Sequence, residues 1–63
     1  MSNAESRIHQ VCDDAERAGL DRGVVQRARQ SAKSGTVSDI QALQIAAERA
    51  GKHDIARACQ RLY

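Results

Sequence analysis

The sequence contains no proline, phenylalanine or tryptophan, a single tyrosine, and no apolar run longer than three residues. The scarcity of aromatic side chains excludes a surface on which nucleic-acid bases stack. The short apolar runs exclude a transmembrane helix, which needs about 20 apolar residues. At 63 residues the chain has room for one small domain and none for a roomy active-site cleft.

Cysteine is also scarce, with only Cys12 and Cys59. A small disulfide-stabilised domain carries four or more cysteines, so this pair predicts reduced thiols buried in the core. Two alternatives stay open. The cysteines could form a disulfide between the first and last helices, or they could join His9 in a metal site, since His9 and Cys12 are spaced for one helix face.

The apolar residues that are present are mostly small. Hydrophobic residues make up 41% of the chain, but eleven are alanine and only eleven are valine, isoleucine or leucine. This composition predicts closely packed helices around a thin core. Ordinary apolar content and a net charge of +2 argue against disorder.

An internal repeat is the most informative pattern. The string Ala-Glu-Arg-Ala-Gly occupies 15–19 and again 47–51, an offset of 32. After the glycines the similarity resumes at an offset of 30, which pairs Val25 with Ile55 and Ala28 with Ala58. We interpret the chain as two copies of one helical hairpin, with two extra residues in the first turn.

Helix start and stop signals agree with this interpretation. Serine or aspartate can cap three helices, and glycine can end three. The capping residues are Ser6, Asp21 and Ser38 (with Gln41 at the capping-box position), and the terminating residues are Gly19, Gly35 and Gly51. The predicted helices are 7–18, 22–34, 38–50 and 53–62. We therefore predict an all-α fold of four short helices, arranged as two pseudo-repeated hairpins in one domain over 1–63. Residues 1–5 are polar and similar to a tag-cleavage scar, so we expect them to lie outside the fold.

Helical periodicity identifies the faces that should be buried. In the first helix one arc is apolar, and in the third helix the apolar arc is wider, which predicts that the third helix is central. These arcs comprise Ile8, Val11, Cys12, Ala15 and Ala18 in the first helix, and Ile40, Ala42, Leu43, Ala46, Ala47 and Ala50 in the third. Ile45 lies on the polar side of the third helix. It is either an ordinary exposed side chain or a contact with a partner or a second copy.

Basic residues are concentrated in the second predicted helix, which contains no acid. Arg22, Arg29 and Lys33 form a stripe about 40° wide at 100° per residue. The stripe could be a solvated face partly neutralised by the acidic first helix, a contact for an acidic protein, or a contact for nucleic acid.

No catalytic constellation is apparent. His9 and His53 have no paired nucleophile, and Cys12 is on an apolar face where a thiol is inert. Asp13 and Asp14 are adjacent and diverge on a helix, so they do not form an acid/base pair. We expect neither enzymatic activity nor a cofactor or metal.

Residues 11–30 resemble the DNA-binding helix-turn-helix family. The match consists of a small Ala15, the turn glycine Gly19, and apolar Leu20, Val25 and Ala28. The resemblance implies a recognition helix that presents Arg22, Gln26, Arg27, Arg29 and Gln30 to DNA.

The second copy differs at the matching apolar positions, where it has Lys52, Arg57 and Gln60. We therefore favour a shared hairpin shape over DNA reading. Most of the chain is also similar to tetratricopeptide-like helical repeats, on the basis of Leu43, Gly51 and Ala56.

The sequence thus predicts a small, cytoplasmic, non-enzymatic module for protein–protein interaction or regulation. Phage- or plasmid-encoded modulators of a larger protein machine are proteins of this kind. Ile45, Arg22, Arg29 and Lys33 are the predicted contacts with a protein partner, and a homodimer is a second expected assembly. A helix-turn-helix DNA-binding regulator is the alternative, and no membrane association is expected.

Overall fold

The computed structural model describes residues 3–35 and 37–63, and these residues contain helices and no strand. The predicted all-α fold of four helices is confirmed. The helices are Asn3–Arg17 (α1), Arg22–Ser34 (α2), Val37–Arg49 (α3) and His53–Gln60 (α4).

Helices that are adjacent in sequence pack against each other and form two hairpins. α1 packs against α2, α3 packs against α4, α2 also contacts α3, and a smaller contact joins α1 to α4. The resulting body measures 30 × 20 × 19 Å. This arrangement is a small bundle, as the hairpin repeat predicts.

Each repeated string forms the turn that ends the first helix of its hairpin. In the first copy Gly19 adopts the left-handed conformation, with φ of 81°. The Gly19 amide donates to the carbonyl of Glu16 at 3.1 Å, and the Leu20 amide donates to that of Ala15 at 3.1 Å. This pair of bonds is a Schellman motif, which satisfies carbonyls that the helix end leaves free.

The second copy repeats the motif. Gly51 has φ of 74°, its amide donates to Glu48 at 3.1 Å, and the Lys52 amide donates to Ala47 at 2.8 Å. The sequence repeat therefore encodes a repeated turn, because glycine tolerates this conformation with little strain.

The two hairpins are closer in register than the sequence comparison indicates. The turn after α1 comprises residues 18–21 and the turn after α3 comprises 50–52, so the first is longer by one residue and not by two. Buried Val25 and Ala28 consequently correspond to buried Ala56 and Cys59, an offset of 31. Pairing with Ile55 and Ala58, both only half-buried, is thus wrong by one position.

Two of the three predicted helix caps are also wrong. Asp21 caps α2 as predicted, since its Oδ1 accepts from the Val24 amide at 3.1 Å. Ser6 lies inside α1, which begins at Asn3, and Ser38 lies inside α3, which begins at Val37. Residues 3–5, expected to lie outside the fold, form the start of α1, whereas residues 1 and 2 lie outside the described part of the chain.

The core is built from small and medium-sized side chains contributed by all four helices and by the first turn. The predicted apolar face of α1 is confirmed. The buried apolar residues are Val11, Cys12, Ala15, Leu20, Val25, Ala28, Ile40, Leu43, Ala47, Ala56 and Cys59.

The wide apolar face predicted for α3 is not buried. Ala42 and Ala50 are exposed and Ala46 is half-buried, so only Ile40, Leu43 and Ala47 reach the core. α3 packs against two helices, α2 and α4, and α2 also packs against two, α1 and α3. The prediction that α3 is the central helix is therefore wrong. Alanine on a helix surface costs no free energy, because it has the highest helix propensity.

Candidate functional site

The basic stripe of α2 contacts α1 through its middle residue, Arg29. Arg22 and Lys33 are exposed, and the Arg29 side chain is 32% exposed.

Two carboxylates of α1 hold Arg29. Its Nη2 atom lies 2.8 Å from Asp13 Oδ1 and 2.6 Å from Glu16 Oε2. The hydrogen bond to Asp13, and then the one to Glu16, raise the pKa of Arg29 further above its ordinary value. The acidic first helix therefore neutralises part of the stripe, one of the three interpretations the sequence leaves open. Arg22 and Lys33 make no ion pair within the described residues.

A surface groove of about 470 Å³ runs between the end of α1 and the first turns of α2. The buried side chains of Leu20 and Val25 form its apolar base. Polar side chains surround this base, and the lining residues are Glu16, Gly19, Leu20, Arg22, Val25, Gln26 and Arg29. We call this the first groove.

The structure divides the residues predicted to read DNA. Arg22, Gln26 and Arg29 line the first groove. Arg27 and Gln30 are exposed elsewhere on α2, about 160° and about 100° around the helix from Arg29 in the same sense of rotation. The five side chains therefore do not form a single row.

Ile45 is 50% exposed and lies on the outer side of α3, opposite the core residues Leu43 and Ala47. Exposed Ala42 and Arg49 are its neighbours one turn before and one turn after. Neither Ile45 nor Lys33 lines the first groove. Of the four predicted partner-binding residues, the structure therefore brings only Arg22 and Arg29 together there.

A second groove, which the sequence reasoning missed, lies between α3 and α4. It has a volume of about 340 Å³ and is lined by Glu48, His53, Ala56, Arg57 and Gln60. Glu48 Oε1 accepts from Gln44 Nε2 at 3.2 Å, and the Tyr63 hydroxyl donates to Gln44 Oε1. The sequence signal for this groove is Glu48, which repeats Glu16 of the first groove. The other residues of the two grooves correspond only at an offset of 31, and the sequence comparison uses 30.

The two cysteines are buried free thiols in the same core. Burial raises the pKa of Cys12, an effect that Arg29 opposes and Asp13 augments. Burial, and next the neighbouring Cys12 thiol, raise the pKa of Cys59 to about 11. Both thiols therefore stay protonated near neutral pH, where a protonated thiol is neither a nucleophile nor a metal ligand.

His9, the third residue of the alternative metal site, is half-buried on α1. Over residues 3–35 and 37–63, no group of three or more histidine, cysteine or acidic side chains is placed to hold a metal ion.

None of the described helices combines the length and the apolar character needed to cross a membrane. Comparison of the chain with known protein families, with curated proteins and with solved structures finds no match.

Proposed function

We propose that this protein is a non-enzymatic binding module that modulates a larger protein by holding an acidic segment of it in the first groove. The segment would combine an aliphatic side chain, placed on Leu20 and Val25, with a carboxylate, placed beside Arg22. The observation that carries the proposal is an apolar base next to a guanidinium that has no ion pair within the described residues.

The internal ion pair of the groove illustrates the chemistry. Glu16 and Arg29 already form a carboxylate–guanidinium contact at 2.6 Å beside the groove. Guanidinium groups present several donors in a plane and bind carboxylates with good geometry. Arg22 offers the same chemistry to a carboxylate from outside the chain.

The alternative, DNA binding through α2, is less well supported. Arg29, one of the residues that the helix-turn-helix resemblance assigns to DNA contact, is already paired with Asp13 and Glu16, so its charge is largely compensated within the protein. Arg27 and Gln30 lie away from the groove. We therefore treat DNA binding as an outcome of the test.

The exposed Ile45 side chain supports a second contact, with another copy of the chain. If two α3 helices pair antiparallel about Ile45, Arg49 of one copy faces Gln41 of the other. The guanidinium of Arg49 then faces an amide and not a second guanidinium. Two copies of this face can therefore pair without repulsion between like charges.

Fluorescence anisotropy at low ionic strength tests the proposal. The probe is a labelled peptide of sequence Glu-Glu-Leu-Leu-Glu-Glu, capped at both ends. Wild type should bind it, and Arg22→Gln should weaken binding about three- to tenfold, because one charge-assisted hydrogen-bonded contact is lost. Arg27→Gln is the matched control, since it removes the same charge from α2 outside the groove, and it should weaken binding less than twofold.

A labelled DNA duplex is the second probe. If duplex binds more tightly than the peptide, and Arg22→Gln lowers the salt slope by about one unit, DNA binding replaces the proposed function. Equal effects of Arg22→Gln and Arg27→Gln on the peptide would show that only net charge matters, which also contradicts a groove site.

A further inference from the structure

We propose that the groove between α3 and α4 is a second, pseudo-equivalent site for the same kind of acidic segment, so that one chain holds two segments. This inference rests on the proposed function of the first groove.

The linings of the two grooves correspond residue by residue. α1 aligns with α3 at an offset of 32, and α2 aligns with α4 at the offset of 31 that their buried residues define. All five residues of the second groove then match a residue of the first. The pairs are Glu16 with Glu48, Arg22 with His53, Val25 with Ala56, Gln26 with Arg57, and Arg29 with Gln60.

A shared turn produces this correspondence. The backbone carbonyls of Glu16 and Glu48 each accept the amide of the glycine that follows their own helix, both at 3.1 Å. The Schellman motif thereby sets each glutamate at the same place relative to the helix that follows. The second groove is thus a consequence of the hairpin's construction and not an isolated surface depression.

The charges differ between the grooves in a complementary way. In the first groove Arg29 is occupied by two carboxylates, which leaves Arg22 for a ligand. In the second groove Gln60 replaces Arg29, and Arg57 stands where the first has Gln26. Arg57 is exposed and has no ion pair within the described residues. Each groove therefore retains one guanidinium that can receive an external carboxylate.

Within the described residues, Glu48 forms no ion pair with the Arg57 guanidinium. Its Oε1 accepts from Gln44 at 3.2 Å, and Gln44 in turn is held by the Tyr63 hydroxyl. The second groove is also smaller, at about 340 Å³ against about 470 Å³. We therefore expect it to bind the shared ligand class more weakly than the first groove does.

Two sites on one chain give a partner with two acidic segments an advantage. Once one segment is bound, the second binds at the effective concentration that the linker sets. The lining of the second groove has Ala56 in place of Val25 and no counterpart of Leu20, so only the segment in the first groove needs an aliphatic side chain. The preferred ligand is accordingly a protein that carries two short acidic segments.

Two-dimensional amide NMR with the unlabelled Glu-Glu-Leu-Leu-Glu-Glu peptide tests the second site. Amide signals of residues in both grooves should shift and saturate. Arg57→Gln should weaken binding at the second groove at least threefold and leave the first unchanged. Arg61→Gln, an exposed arginine of the same end of the chain outside the groove lining, is the control and should leave both grooves unchanged. Well-dispersed spectra of both variants show that they are folded.

Shifts at the first groove without shifts at the second would overturn this inference and leave the proposed function standing. The absence of shifts at either groove would overturn both. Second-groove shifts that persist at full strength in Arg57→Gln, or that a Lys-Lys-Leu-Leu-Lys-Lys peptide reproduces, would contradict an acidic-segment site.

Discussion

Two single residues of the core, Cys12 and Cys59, make the stability of the fold depend on pH. Both thiols are fully buried and both have a raised pKa, to about 11 for Cys59. An unfolded thiol has a pKa near 8.5. Between these two pKa values the Cys59 thiol is protonated in the folded state and ionised in the unfolded state. The folded state therefore has its full stability below about pH 8.5 and loses part of it as the pH rises towards 11.

We predict that the free energy of unfolding falls by about 2–3 kcal/mol between pH 8 and pH 11 because of Cys59, since each unit of pKa shift corresponds to 1.36 kcal/mol. Urea unfolding across this range measures the loss. The loss should be smaller in Cys59→Ala and smallest in Cys12→Ala/Cys59→Ala. An equal loss in wild type and in the double variant would contradict the assignment to the thiols.

Reactivity gives an independent check at the same two residues. A buried thiol reacts with Ellman's reagent only when the chain opens. We predict no fast-reacting thiol in the native protein at pH 8, and two after denaturation in urea. A native protein that shows no free thiol even in urea would indicate the disulfide that the sequence left open.

At the level of elements, the repeated turn is the unit from which both hairpins are made. Gly19 and Gly51 have φ of 81° and 74°, and space is open around both. A side chain at these positions therefore incurs backbone strain and no steric clash.

We predict that Gly19→Ala and Gly51→Ala each lower the free energy of unfolding by about 1–2 kcal/mol, as an L residue does in the left-handed region. Thermal and urea unfolding measure the change. Gly19→Asn is the matched control and should cost less, because asparagine tolerates this conformation. Equal losses for the alanine and asparagine variants at position 19 would refute the argument from backbone strain.

Local signals explain which elements could be predicted. The glycines that end α1, α2 and α3 and the Asp21 cap act within a few residues, and each is where the sequence places it. The Arg29 ion pairs join residues in different helices, so the neutralised stripe is only one of several interpretations that the sequence allows. The exposed face of α3 and the true register of α4 depend on tertiary packing, which alanine-rich helices specify weakly.

At the scale of the whole molecule, α3 contributes side chains to a thin core and exposes Ile45 on its outer side. Ile45 and Tyr63 are each 50% exposed, and Val37 is 46% exposed. A two-hairpin bundle buries little surface, so assembly with a second copy would add to its stability.

We predict that wild type sediments as a dimer at high concentration and that Ile45→Asp sediments as a monomer, because a two-fold contact would place two aspartates against each other. Analytical ultracentrifugation measures both. Gln41→Asp adds the same charge one turn away, where it would face Arg49 of the second copy, and should therefore keep or strengthen the dimer. Identical monomers for wild type and Ile45→Asp would exclude this contact.

The central claim is that Arg22 gives the first groove its preference for an acidic segment. A charge reversal, Arg22→Glu, tests it with the two peptides Glu-Glu-Leu-Leu-Glu-Glu and Lys-Lys-Leu-Leu-Lys-Lys. We expect the variant to lose the acidic peptide at the first groove and to bind the basic one more tightly than wild type does, as complementary charge requires. A variant whose first groove keeps the acidic peptide and does not bind the basic one would contradict this role of Arg22.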